Sequence, residues 1–187
     1  MLDLPALYAE CASDVHPVTM DLVVRHESGG NPLAIYDNTA RRSYRPTDVD
    51  AAMDIIATME RLGHDFDLGL GQINRRNLPR LQLSARQALD PCTNLRAASL
   101  LLSSNYAAAL RAGFSSGKAA LDAALKMYNT GTFSRGDAYL ARYYGRVPAL
   151  SSAPAQAVVV RATTHGVAAT SRPRNPFAGD TTIAMDE

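Results

Sequence analysis

Apolar residues recur at helical spacing along most of this chain. Met20, Val23 and Val24 stand at i, i+3 and i+4, and Glu27 follows at i+7, so a carboxylate takes one place on an apolar stripe. Pro17 suits a first helical turn, and Gly29, Gly30 and Pro32 form a stop, which bounds this helix at Pro17–Ser28. A shorter helix precedes it, from Asp3 or Leu4 to Ala12. Val49, Met53, Ile56 and Met59 mark an amphipathic helix after Thr47, with Gly63 beyond its end. Ser84-Ala85-Arg86-Gln87 is a capping box. Asp90-Pro91 caps a long helix reaching Ala112, and Gly117–Asn129 and Gly136–Tyr144 supply the last two.

Two stretches break the helical period. Leu33–Arg45 sets Ile35, Tyr36 and Tyr44 among polar residues and predicts a small hairpin or loop. Asp65–Asn74 reads as a loop entering a short extended segment, with Leu70, Gln72 and Asn74 on one face and Ile73 on the other. The domain is therefore expected over residues 1–147, mainly α with a minor β element. From Pro148 the composition shifts to Ala, Ser, Thr, Pro and Arg, with Val158-Val159-Val160 as the one apolar cluster. Residues 148–187 are expected to be a disordered tail or a flexible docking arm.

Glu27 gains its meaning from that placement. Burial disfavours a charged carboxylate, and the negative end of the helix dipole adds about 0.3–1 kcal/mol in the same direction. Both favour the protonated acid, as in glycosidases whose proton donor is tuned to roughly pKa 6–7. His26 points off the stripe and is expected at the surface or as a supporting neighbour. Ser28 either hydrogen-bonds the glutamate or simply finishes the helix. Gln72 and Asn74 bring amides beside the glycines of Gly69-Leu70-Gly71. Tyr128 and Asn129 follow an Ala/Leu-rich helix, where Tyr128 is either a core aromatic with a wet hydroxyl or a site residue, and Asn129 either a cap or a site residue. One carboxylate among uncharged hydrogen-bonding groups suits acid/base work on a neutral polymer such as a sugar chain; it does not suit a metal or phosphate site. Asp65 and Asp67 are the only other acids nearby, and both are expected in a solvated loop. The paired-carboxylate scheme common to glycosidases thus lacks its second member.

Read in order, Glu27-Ser28-Gly29-Gly30-Asn31-Pro32, Asp67-Leu68-Gly69-Leu70-Gly71-Gln72-Ile73-Asn74, Asp90-Pro91-Cys92-Thr93-Asn94-Leu95 and Tyr128-Asn129-Thr130-Gly131 resemble the catalytic domain of lytic transglycosylases related to goose-type lysozyme. The resemblance is to the family that accompanies type IV secretion and conjugation systems, and it covers roughly residues 5–147. Met127 departs from it, standing where the family pattern has alanine. The resemblance implies a lysozyme-like α+β fold whose small sheet lines a substrate cleft. It implies that Glu27 is the acid/base, and that Gln72 and Asn74 contact sugar substituents or the cleft floor. Tyr128 would then help place Glu27, Asn129 would support the cleft, and Ser28 would sit beside the N-acetyl group or the glutamate. The implied reaction opens the β-1,4 bond between N-acetylmuramic acid and N-acetylglucosamine in peptidoglycan glycan strands, yielding a 1,6-anhydromuramoyl end without metal or other cofactor. The tail would be the route to secretion-system components. A hydrolytic muramidase with the same cleft is the alternative in chemistry, and a non-catalytic wall-binding scaffold the alternative in kind.

Composition narrows the partners. The 187 residues carry a formal charge of +1, with a sequence pI near 7.8, so no global basic field points to nucleic acid. Arg41-Arg42 with Arg45, and Arg75-Arg76, are local clusters, expected as solvated surface or at a cleft rim near an anionic peptidoglycan stem. Without tryptophan, stacking on sugars falls to tyrosine and phenylalanine. Cys11 and Cys92 lack metal-ligand spacing; they are either a disulfide or two buried thiols. As a pair they would close a long loop, worth about 4.5 kcal/mol in the chain-entropy model, and the matched family context favours the bond. The periplasm, where the implied substrate is, would suit it. No signal peptide is legible at Met1-Leu2-Asp3-Leu4-Pro5, which leaves the export route open, and no stretch is long enough to span a membrane.

Overall fold

The computed structural model describes residues 2–145. The tail expected from residue 148 lies outside them. The elements run α1 (Leu4–Cys11), α2 (Pro17–Glu27), β1 (Ile35–Asp37), β2 (Arg42–Tyr44), α3 (Val49–Arg61), β3 (Phe66–Leu68) and β4 (Ile73–Asn74). A 3-10 turn (Arg75–Asn77) then leads into α4 (Leu78–Leu81), α5 (Ala85–Ala88), α6 (Pro91–Arg111), α7 (Lys118–Thr130) and α8 (Asp137–Tyr144). The architecture is mainly α with a small antiparallel sheet, as the sequence pattern predicts. None of these helices is long and apolar enough to cross a membrane.

Local chemistry sets the helix starts. Asp48 accepts from the Ala51 amide at 2.8 Å and Asp90 from the Thr93 amide at 2.8 Å, each satisfying a donor the helix itself cannot. Ser84 and Gln87 complete the reciprocal capping box expected of them. Helix α2 starts on Pro17 and ends at Glu27, because Gly29 and Gly30 turn the chain with φ of 66° and 84°. The 3-10 turn and α4 were not anticipated; four-residue helices show no apolar period.

The sheet order is β2-β1-β3-β4, all antiparallel. Ile35 faces Leu68 across β1 and β3, and Leu68 faces Ile73 across β3 and β4. These three with Phe66 and Leu70 are fully buried, against Met20, Val23 and Val24 of α2 and Leu95, Ala98 and Leu102 of α6. The extended segment expected through Leu70, Gln72 and Asn74 is corrected here. Residues 69–72 form a tight turn, Gln72 takes a left-handed φ of 49°, and Leu70 enters the core while Gln72 faces outward. Asp37 is buried as well, held by the Thr39 and Ala40 amides at 2.9 and 2.8 Å and by His64 Nδ1 at 2.7 Å. Cys11 and Cys92 form a disulfide that ties the end of α1 to the start of α6.

Candidate active site

A cleft of about 590 Å³ opens between the sheet and the C-terminal end of α7, with Glu27 in its wall. Glu27, Gln72, Asn74, Tyr128 and Asn129 all line it. Ser28 does not: it is buried, donates to the Val24 carbonyl at 3.2 Å and accepts from the Gly30 amide at 3.2 Å, so it finishes α2.

Glu27 is part-buried as a residue, but its Oε1 is sealed from solvent without a hydrogen-bond partner. Burial pushes its carboxyl up to about 7, and the charge of Asp67 adds to the rise; the Tyr139 hydroxyl and Arg142 oppose it. Tyr139 is enclosed too, and its Oη completes no hydrogen bond, so the phenol tempers the carboxyl through proximity rather than a closed contact. The His26 ring packs on the Tyr139 ring, with centroids 4.3 Å apart, which places His26 behind the site rather than at an outlying surface. A carboxyl tuned to neutrality can both donate and take back a proton in one cycle.

The opposite wall is made of fixed amides and a phenol. Gln72 Nε2 donates to the carbonyls of Ala34 and Gly69 at 3.1 and 2.9 Å, which locks the left-handed residue in place. Asn74 Nδ2 donates to Asp65 at 3.1 Å and Asp67 at 2.8 Å. Tyr128 Oη donates to the Gly71 carbonyl at 2.6 Å. Burial, then the charges of Glu27 and Asp67, hold that phenol well above its usual pKa, so it stays a neutral donor. Met127 and Asn129 lie beside it on the same rim.

Asn38, Asp67, Asn94 and Tyr139, which the sequence did not assign to the site, shape it. Asp67 was expected in a solvated loop; it sits instead in β3, lines the cleft, and accepts from Asn38 Nδ2 at 2.9 Å as well as from Asn74. Burial raises its carboxyl pKa against those two amides. Asn94, fully buried on α6, accepts from the Gly71 amide at 2.7 Å and donates to the carbonyls of Leu68 and Ala88 at 2.9 and 2.6 Å. It therefore fixes the turn that presents Gln72 and receives Tyr128. The close fit explains the glycines: a Cβ on Gly69 would lie 2.2 Å from Asn94 Nδ2, and one on Gly71 2.7 Å from Ala98 Cβ. Tyr139, the fourth, comes from α8. Asp67 and Asn94 each lie in one of the matched strings, which was the signal that could have found them; Asn38 and Tyr139 carried none.

Residues 5–146 match the family model described as the transglycosylase SLT domain. The chain belongs to that family. Among curated relatives, the type IV secretion system protein virB1 of Brucella abortus is 37% identical over 136 residues, covering 73% of this chain and 57% of that protein. Protein virB1 of Agrobacterium fabrum is 37% identical over 127 residues, covering 68% of this chain and 51% of its own length. The chain thus spans a little over half the length of these relatives. No solved structure matches it significantly. The SLT match takes in Glu27, the turn carrying Gln72, and the α7 end that bears Tyr128 and Asn129.

Proposed function

We propose that this chain is a peptidoglycan lytic transglycosylase that opens the wall locally, in the periplasm, as a type IV secretion or conjugation system is assembled. The observation that carries the chemistry is one cleft carboxyl, Glu27, pushed up to about 7 by burial. Family membership and the virB1 relatives support the wall substrate and the secretion setting.

In this reading, protonated Glu27 donates to the glycosidic oxygen. The bond from muramic C1 to that oxygen breaks, and the N-acetylglucosamine side leaves with a new hydroxyl. The substrate's own N-acetyl group stabilises the cation at C1. The Glu27 carboxylate then removes the proton of the muramic 6-hydroxyl as its oxygen bonds to C1. The product is a 1,6-anhydro ring, Glu27 ends protonated, and no water is consumed. Tethering of the attacking hydroxyl supplies much of the rate. Tyr128 and Gln72 keep the opposing wall fixed, Asn74 builds the cleft floor through Asp65 and Asp67, and Asn129 contacts the sugars. The 148–187 tail is the segment that reaches secretion components.

Asp67 favours one second reading, hydrolysis with Asp67 activating water. Against it, the two oxygens of Asp67 are already engaged by Asn38 and Asn74. Mass spectrometry of digested sacculi separates the two: muropeptides ending in anhydromuramic acid support the transglycosylase, and reducing ends alone support the muramidase. Loss of lysis with retained wall binding in Glu27→Gln supports an enzyme, whereas secretion or conjugation unchanged in that variant would contradict both and favour a binding scaffold.

A further inference from the structure

Arg76 is a cation that the proposed reaction does not use. A glycan backbone is neutral, yet this guanidinium lines the same cleft as Glu27. Its side chain is 77% exposed but mounted, pairing through Nη2 with Asp65 at 3.0 Å. Its backbone N–H donates to Asn74 Oδ1 at 2.9 Å. Asn74 in turn holds Asp65 and Asp67, so the cation stands on the network that builds the cleft wall. Burial raises the Asp67 carboxyl, and the charge of Arg76 reaches it and works against that rise. Arg80 lines the cleft four residues further on, with Nη2 3.3 Å from Asn77 Oδ1. A guanidinium offers five N–H donors in a planar fork, so an Arg76 that meets Asp65 through one nitrogen has donors left for a second carboxylate.

Peptidoglycan supplies that group. Muramic acid bears a lactyl arm ending in a carboxyl, and in the wall that carboxyl is amide-linked to a peptide with free carboxylates of its own. The geometry points to Arg76, supported by Arg80, as a binding site for a carboxylate on the muramic-acid side arm, selecting anionic wall strands over neutral glycan. This rests on the peptidoglycan reading above.

Initial rates of the full, disulfide-bonded chain on three preparations of the same strands test it. The first carries native stems. The second has its carboxyls converted to carboxamides with carbodiimide and ammonia. The third is stripped of stems by an amidase, which leaves the lactyl carboxylate. Wild type is expected to show kcat/KM roughly two- to fivefold higher on native than on amidated strands, the size of an exposed ion pair, and this preference shrinks as salt rises. Arg76→Gln is expected to bring the ratio close to one, mainly through KM; because the ratio is taken within one protein, partial unfolding of the variant cancels. Because the lactyl carboxyl of native strands is tied up as an amide, the native-over-amidated preference reports the stem carboxylates. Arg76 dependence that also appears on stripped strands shows that the site takes a freed lactyl carboxylate as well, and its absence there confines the contact to the peptide. A wild-type ratio near one, or a ratio that Arg76→Gln leaves intact, overturns the inference. Failure of wild type to release anhydromuramoyl ends from any preparation overturns the transglycosylase reading beneath it.

Discussion

Replacing Asn94 by alanine removes three hydrogen bonds at once from the centre of the fold. The side chain is fully buried, and its partners are the Gly71 amide at 2.7 Å and the carbonyls of Leu68 and Ala88 at 2.9 and 2.6 Å. Each backbone group left unpaired away from water costs about 1–3 kcal/mol. Some of that is recovered if water enters the vacated space, so a loss of about 3–5 kcal/mol is expected, at the upper end for a single substitution. With a urea slope of roughly 2 kcal/mol per molar, the unfolding midpoint should fall by about 2 M. Circular dichroism of the oxidised protein measures this. Asn94→Asp separates lost volume from lost bonding: it keeps the shape and one acceptor, but at neutral pH sets an oxygen against the Leu68 and Ala88 carbonyls. Aspartate should therefore be at least as damaging as alanine at pH 7. A loss below about 1 kcal/mol in both variants would refute the view of Asn94 as the clamp on the 69–72 turn.

Stability should also report Glu27. Folding raises its carboxyl from 4.5 to about 7, so the fold is most stable below the lower value, and stability is lost as pH climbs from the one to the other. Glu27→Gln should then gain about 2 kcal/mol over wild type between pH 5 and pH 8 in urea melts, and an equal advantage at both would contradict the shift. Gly69→Ala, at φ 77° with its Cβ 2.2 Å from Asn94 Nδ2 and 2.9 Å from the Ala88 carbonyl, should lower the thermal midpoint by several degrees. Reduction of the Cys11–Cys92 bond, or Cys11→Ser with Cys92→Ser, should cost stability approaching about 4.5 kcal/mol in the chain-entropy model, read as a lower urea midpoint with and without reductant.

The parts of this molecule that were legible are those whose causes are local. Pro17 and the Gly29-Gly30 pair bound α2, and the spacing of Met20, Val23 and Val24 turned Glu27 inward. Ser84 and Gln87 announced α5. The sheet was only half visible: the 33–45 hairpin could be read, but its joining to β3 and β4 depends on partners about 30 residues away, and strands of two or three residues have no period to detect. For the same reason Asp67 was read as a loop acid. Its burial comes from Asn38 and Asn74, which arrive from other strands and loops. Gln72 was placed in a strand because alternation carries no sign of a left-handed residue, which Asn94 and the flanking glycines impose. Tyr139 stands among Tyr143 and Tyr144 in α8, and only tertiary packing decides which of them faces the glutamate.

Catalysis by this cleft requires one carboxyl that is still an acid at neutral pH. Carbon-13 NMR of protein labelled at glutamate side-chain carboxyls, with Glu27→Gln used to assign the resonance, measures this directly. The Glu27 inflection is expected close to pH 7, set apart from the other glutamates. An inflection at the ordinary value near 4.5 would contradict it.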